Sequence, residues 1–385
     1  MDLKWSEDQL KLRESIVQFA QHSLNDHFAR RDKAGEFSRD LWRICAGFGI
    51  QGLPIPEEYG GTGQDILTTM IAMEALGYGC RDQGLLFSLH AQMWSIQMPI
   101  LKFGTADQKS RYLPSLCAGR WIGAHCMSEP DSGSDAFGLR TRANKVGDRY
   151  VLNGSKTFVT NAPEADLFLV FATIDRKKGM WGVTGFLVER TALGLSVGGK
   201  LDKMGLTTSP MAEVFLEDCE VPQENVLGRE GGGAAIFNHS MAWERSCILG
   251  STVGAMEWQL ERCLQYVKTR TQFGKPIGNF QLVSAKAADM KVRLETSRLL
   301  LYRAAWAQAS GANNALEGAM AKLYISEAAV QSALDAIQIH GGYGYMKEYE
   351  VERELRDNIG ATLYSGTSEI QRLIIARHLG LSPAS

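Results

Sequence analysis

The spacing of hydrophobic residues changes period twice along this chain, which restricts it to a helical segment, a β segment and a second helical segment, in that order. From Ser6 to about Arg120 apolar residues recur at three and four positions, as in Leu12, Ile16, Phe19 and Ala20, or Ile66, Leu67, Met70, Ile71 and Met73. Ser6 followed by Glu7, Asp8 and Gln9 predicts a capped helix start, and the Gly- and Pro-rich stretch 53–63 predicts a loop. Between about Ala124 and Val226 the texture shifts to short runs at 150–152, 157–160, 167–172 and 214–216, separated by Gly, Asn and Asp. These predict strands of a small, mostly antiparallel sheet or barrel. From Gly231 helical spacing returns, and 246–270 and 281–309 are long enough for extended antiparallel helices. The expected division is 1–120, 121–230 and 231–385; at 385 residues and 45% apolar content the chain can fill two or three cores.

Charge and cysteine usage narrow the function. With 41 basic and 43 acidic residues, net -2, the chain lacks the basic surplus that phosphate backbones require, so no nucleic-acid partner is expected. Cys45, Cys80, Cys117, Cys126, Cys219, Cys247 and Cys263 are scattered, odd in number and never in a C-x-x-C pair. They read as reduced thiols, with no metal site expected. No apolar run is long enough to span a bilayer, and the start reads as neither a signal nor a transit peptide, so a cytoplasmic protein is expected, with no membrane partner.

The sequence has neither a G-x-G-x-x-G turn between strand and helix nor a P-loop, so a dinucleotide would be held in another way. The stretch 127–135, Met-Ser-Glu-Pro-Asp-Ser-Gly-Ser-Asp, places Ser128 at a strand end before a turn rich in hydroxyls and small residues. Such a turn can present main-chain N–H groups to an anion or a ring edge, or be an ordinary surface turn.

Several further motifs stand in a fixed order: Pro-Glu-Glu-Tyr-Gly-Gly at 56–61, Gly-Ser-Lys-Thr-Phe-Val-Thr-Asn at 154–161, Arg-Thr-Gln-Phe-Gly-Lys at 270–275 with Gln281, Gln-Ile-His-Gly-Gly-Tyr-Gly at 338–344, and Gly-Thr-Ser-Glu-Ile-Gln-Arg at 366–372. In these the chain resembles the acyl-CoA dehydrogenase family, flavoenzymes that introduce a double bond between Cα and Cβ of an acyl thioester. The resemblance runs from the N-terminus to about Gly380. It implies an α+β fold with an N-terminal helical domain, a middle β domain and a C-terminal four-helix bundle, and a homotetramer, a dimer of dimers, with one FAD per subunit. It also implies that Met127 and Ser128 meet the flavin edge, that Phe158 covers one face of the ring with Thr160 beside it, and that Thr367 and Glu369 lie near the same FAD. Arg270, Phe273, Gln281, Gln338 and Gly342 are expected at the FAD of a neighbouring subunit. Read singly, Arg270 is a helix-end cation and His340-Gly-Gly a helix C-cap.

The α-proton of a thioester needs a base, and where most of that family carries Glu this chain has Ser365. In the isovaleryl and long-chain branches, and in relatives acting on carrier-bound prolyl groups, the base lies on another helix just before an Arg. Here that pair is Glu244-Arg245, with Met241 and Ile248 as apolar neighbours at i−3 and i+4. An apolar flank raises a carboxyl pKa toward neutrality, which suits a proton acceptor; an isolated helical Glu is otherwise a solvated carboxylate. Ser365 is then expected to clear space, its side chain replaceable at little cost. The same resemblance implies that Ser134 and Arg245 touch the pantetheine or phosphate part of the substrate, that Tyr364 lines the acyl pocket, though it reads equally as plain core, and that the main chain at Ser365 helps polarise the thioester carbonyl. His90 and His125 are read as structural.

The resemblance is nearest to prolyl-carrier-protein dehydrogenases of secondary metabolism, with a branched short-chain acyl-CoA as the alternative substrate and a non-catalytic FAD scaffold as the alternative role. Electron-transfer flavoprotein or O₂ would reoxidise the flavin. Lys200 and Lys203 are candidate basic positions for a carrier protein's acidic face, although scattered lysines are more often a solvated surface.

Overall fold

The computed structural model describes residues 5–311 and 314–381; residues 1–4, part of the start read above, lie outside them. Ser6 caps the first helix, Glu7–Ser23, by a reciprocal pair: its hydroxyl accepts from the Gln9 N–H at 3.2 Å and the Gln9 side chain accepts from the Ser6 N–H at 3.0 Å. The helix Ile66–Gly79 is apolar all round because it packs between Glu7–Ser23 on one side and Gly250–Thr269 on the other.

Two glycines allow that second contact. A Cβ at Gly254 would stand 1.9 Å from the Glu74 carbonyl oxygen, and one at Gly77 1.8 Å from that of Ser251. Gly254→Ala is therefore expected to force the helices apart and cost about 1–3 kcal/mol, read as a lower denaturant midpoint; an unchanged midpoint would contradict this packing. Glu74, itself buried, accepts from Arg298 Nε at 2.7 Å and Tyr302 Oη at 2.8 Å, which ties the first helical layer to the long helix Gln281–Ala309.

The middle of the chain forms an eight-stranded sheet. Its strands are β1 (Gly123–Cys126), β2 (Arg142–Val146), β3 (Arg149–Thr160), β4 (Leu167–Thr173), β5 (Val183–Glu189), β6 (Leu195–Val197), β7 (Met211–Pro222) and β8 (Val226–Leu227). The order is β6-β7-β3-β2-β4-β5-β8, with β1 beside β4. Only the pairings of β4 with β1 and β2 are parallel, so the sheet is mixed. β4 is an unbroken apolar run because both its faces are buried: Phe168, Val170 and Ala172 enter the core of the sheet itself, while Leu167, Leu169 and Phe171 enter the core shared with the helices. The sheet thus lies against the helices without a linker.

The C-terminal part is helical: Gly233–Cys247, Gly250–Thr269, Gln281–Ala309, Ala315–His340, Val351–Ala361 and Ser368–His378. The helix expected over 246–270 is interrupted at Ile248 and Leu249, where the Ile248 N–H closes on the Glu244 carbonyl and Leu249 leaves helical geometry at φ -94, ψ 12. The apolar period runs through the break, which hides it from the sequence. No helix among the described residues is long and apolar enough to cross a membrane, and all seven cysteines are free and buried.

Candidate active site

That interruption puts Glu244 in the last turn of its helix, where the carbonyl end of the macrodipole opposes a negative charge. Glu244 is buried, and burial raises its pKa above the ordinary carboxylate range, only partly offset by hydrogen bonds from Ser365 and Ser95 and by the cations Arg245 and Lys322. Ser365 Oγ donates to its Oε2 at 2.5 Å and Ser95 Oγ to its Oε1. Two hydroxyls thus fix both oxygens.

Each hydroxyl is presented by an irregular backbone. Ser95 sits in a π-helical turn, Met93–Gln97, whose extra residue re-aims the side chains around it. Beside it Trp94 stacks on Trp243, ring centroids 5.8 Å apart and planes 5° off parallel, so the residues preceding Ser95 and Glu244 are packed on each other. Ser365 has a left-handed φ of 56° and is followed by Gly366 at 89°. That strained turn is held by three side chains: Arg245 Nε donates to the Ser365 carbonyl at 3.3 Å, Lys322 Nζ to the Gly366 carbonyl at 2.7 Å, and Gln371 Nε2 to both. Lys322 is fully buried, and burial pulls its pKa down to about 8.

Glu244 borders a cavity of about 650 Å³. Arg245, Tyr364, Ser365 and Thr367 line it, and Met127, Ser128, Ser134, Phe158 and Thr160 line it too. The wall of these sheet residues is built by a bulge: between Lys156 and Val159, β3 spends one residue more than β7. Phe158 there has φ 54° and stands 66% exposed. The Thr157 N–H donates to the Ser128 carbonyl at 2.9 Å. Below, Lys156, fully buried, donates to the Met127 carbonyl at 3.1 Å and to Glu129 Oε1 at 2.8 Å. Glu129 also accepts from the N–H groups of Arg140 and Thr141.

The remaining expected residues lie elsewhere on the chain. Arg270 and Gly342 line a separate hollow of about 440 Å³, where the Arg270 guanidinium lies 5.5 Å from the Tyr343 ring. Gly341 closes the preceding helix as its C-cap, its N–H on the Gln338 carbonyl. Gln281, Gln338 and Glu369 are exposed, and Phe273 is 92% exposed at φ 50°. The residues fit an FAD: two phenylalanines, Phe158 and Phe273, are both held out of the core by strained left-handed backbone, one on the wall of the cavity that Glu244 borders and the other next to Gln272 at the hollow that holds Arg270. A core has no use for either.

Two other expectations change. Lys203 is half-buried and donates to the Leu206 and Ser209 carbonyls at 2.9 and 2.7 Å, so it braces the cavity wall instead of meeting a protein partner. The Ser365 hydroxyl, expected to be idle, holds Glu244. His90 is structural, accepting from Trp94 Nε1 at 2.8 Å and bonded to Ser251 at 3.1 Å; His125 borders the cavity, and burial pulls both imidazoles down to about 3.

Ser95 and Lys156 were not legible as site residues. One is a hydroxyl in an apolar helical run; the other lies inside a strand motif where a lysine looks like surface. Ser95→Ala removes a bond that favours the charged form of Glu244, so the pH midpoint of substrate-driven reduction is expected to move upward. The rate below neutrality should fall on the order of tenfold; an unshifted profile would show that Ser95 does not hold the carboxylate.

A buried carboxylate of raised pKa and an exposed aromatic on a β bulge border one cavity where the sheet meets the helices, the arrangement expected of a flavin-dependent dehydrogenase of the thioester-oxidising class. Three family models match the chain: the acyl-CoA dehydrogenase N-terminal domain over 6–120, the middle domain over 124–219 and the C-terminal domain over 231–380. The chain belongs to the acyl-CoA dehydrogenase family. It is 45% identical to an L-prolyl-[peptidyl-carrier protein] dehydrogenase of Pseudomonas fluorescens, over 99% of this chain and 100% of that one. Among solved structures it is similar to the prolyl acyl carrier protein oxidase AnaB, with TM-score 0.97 and 51% identity over 98% of this chain and 100% of AnaB. It is also similar to PigA with FAD and proline, with TM-score 0.97 and 42% identity over 99% of this chain and 100% of PigA.

Proposed function

We propose that the protein is an FAD-dependent dehydrogenase of an L-prolyl group held as a thioester on a carrier protein. The observation that carries the reaction is Glu244, buried, doubly hydrogen-bonded and bordering the cavity that Phe158 also lines, with serine at 365. The likeness to prolyl-carrier dehydrogenases over nearly the whole chain supports the substrate.

Glu244 accepts the Cα proton of the prolyl thioester at a carboxylate oxygen. When bound, the flavin supplies the hydride acceptor for the adjacent carbon, so that a Cα=Cβ bond forms. Ser95 and Ser365 hold the carboxylate charged and oriented until it takes the proton. Because burial raises its pKa, Glu244 is protonated at a pH where a free glutamate is not, and the reaction slows as pH falls through that higher midpoint. The main chain at Ser365 helps polarise the thioester carbonyl, Tyr364 borders the ring, and Ser134 and Arg245 meet the pantetheine arm.

Met127, Ser128, Phe158, Thr160, Thr367 and Glu369 hold the FAD of their own subunit. Arg270, Phe273, Gln281, Gln338 and Gly342 reach that of a neighbour in a dimer of dimers, and electron-transfer flavoprotein or O₂ takes the electrons. Mass spectrometry of a prolyl-loaded carrier after incubation with the protein tests the substrate. Loss of two or four hydrogens supports it, whereas an unchanged prolyl carrier alongside converted isovaleryl-CoA would assign the site to branched acyl-CoA chemistry.

A further inference from the structure

We propose that the turn Arg176–Gly182, with the start of β2 beside it, is the surface on which an acidic face of the carrier protein docks. This rests on the prolyl-carrier reading above. The turn follows β4 and packs against both the Ala136–Gly138 turn and the Gly233–Cys247 helix. Ala136 lines the catalytic cavity, as does the nearby Ser134, and the helix carries Glu244. The turn therefore stands on the rim of the cavity, on the side of the residue assigned to the pantetheine arm. It is joined to β2 through Thr173, whose N–H donates to the Thr141 carbonyl at 2.8 Å and which pairs with Arg142.

The rim gathers exposed cations. Arg142, Arg176, Lys177 and Lys178 are all exposed, in a protein of net charge -2. Arg140 is matched by Asp131 at 2.8 Å and Lys145 by Glu230 at 2.8 Å. The carboxylate of Asp175 caps the turn, accepting from the Lys177 N–H at 3.0 Å, and pairs with Lys178 at 4.0 Å, a cation that Glu230 also feels, so the surplus charge rests on Arg142, Arg176 and Lys177. A positive field at the mouth steers an anionic partner toward it and fixes its orientation.

The same turn carries an apolar anchor. Trp181 is 68% exposed and Met180 37% exposed, one glycine after the cations. Exposed Trp and Met beside Arg are characteristic of the centre of a protein interface. The phosphates of a coenzyme A would be served by cations alone. The turn is also preformed: the Ile174 N–H donates to the Gly182 carbonyl at 2.9 Å across its base and the Lys178 N–H to the Asp175 carbonyl at 3.1 Å. Docking on it costs little ordering.

The test is the triple charge reversal R176E/K177E/K178E in the full-length holoprotein, with W181A as a second variant. Flavin reduction is followed against the concentration of prolyl-loaded carrier, and separately with prolyl thioesters of pantetheine and of coenzyme A. Both variants are expected to keep their FAD and their molecular mass in solution. Half-saturation by the carrier should rise about tenfold or more, and less so at high salt for the charge reversal, with an unchanged limiting rate and unchanged use of the pantetheine thioester. An unaltered carrier dependence would overturn the proposal, as would an equal weakening toward the coenzyme A thioester, which would assign the rim to coenzyme phosphates. A wild-type protein reduced by the pantetheine thioester but not by the carrier would remove the docking alone, and one reduced by no prolyl thioester would remove the function on which it rests.

Discussion

Glu244→Gln is expected to bind FAD as the wild type does and to lose flavin reduction by about 10²–10⁴-fold, the range of a general base. The amide has the shape of the carboxylate, and its oxygen can still accept from one of the two serines, so the cavity is kept while the proton acceptor is lost. The burial that raises the pKa of Glu244 also makes a neutral side chain easy to accommodate there. Stopped-flow reduction of the variant, alongside its flavin absorbance, separates chemistry from cofactor binding. A variant reduced at the wild-type rate would move the base elsewhere.

Lys156→Met should have the largest effect on stability. Burial alone would raise the pKa of Glu129, but the Lys156 ammonium, together with the N–H groups of Thr141 and Arg140, outweighs it and holds the carboxyl below its ordinary range. That pair is stabilising above the carboxyl's unfolded pKa and is lost as pH falls through its lower folded value. Removing the lysine leaves a buried carboxylate without its counter-ion, at a cost of about 3–5 kcal/mol. Since Lys156 also holds the Met127 carbonyl, the wall carrying Ser128 and Phe158 should loosen and FAD content should fall. Adding Glu129→Gln should restore part of the stability. A single variant as stable as the wild type would show that the pair is not needed.

Most of the architecture was legible because period is a local property. The three segments, the Ser6 cap and the apolar run of β4 follow from side-chain spacing alone. The site was legible to the extent that it lies in sequence motifs: Glu244, Ser365, Met127, Ser128, Phe158 and Thr160 come together in one cavity. What escaped depends on backbone irregularity or on contacts distant in sequence. The break at Ile248 and Leu249 is marked only by the adjoining Gly250, a lone glycine inside an unbroken apolar period. The π turn that presents Ser95 has no compositional mark, and Ser95 meets Glu244 across 149 residues of chain. Lys156 and Lys203 look like solvated cations until the strands are paired. By charge alone Lys200 and Lys203 stand out no more than any solvated lysine, while the cations on the cavity rim lie in a turn whose position only the fold supplies.

The most direct test is a single anaerobic turnover: the FAD-loaded wild-type protein mixed with L-prolyl-loaded carrier, with isovaleryl-CoA in parallel, while flavin absorbance is followed. Rapid bleaching by the prolyl carrier, abolished in Glu244→Gln and slowed below neutral pH in Ser95→Ala, is the expected result. Bleaching by isovaleryl-CoA alone, or bleaching by the prolyl carrier that persists undiminished in Glu244→Gln, would contradict it.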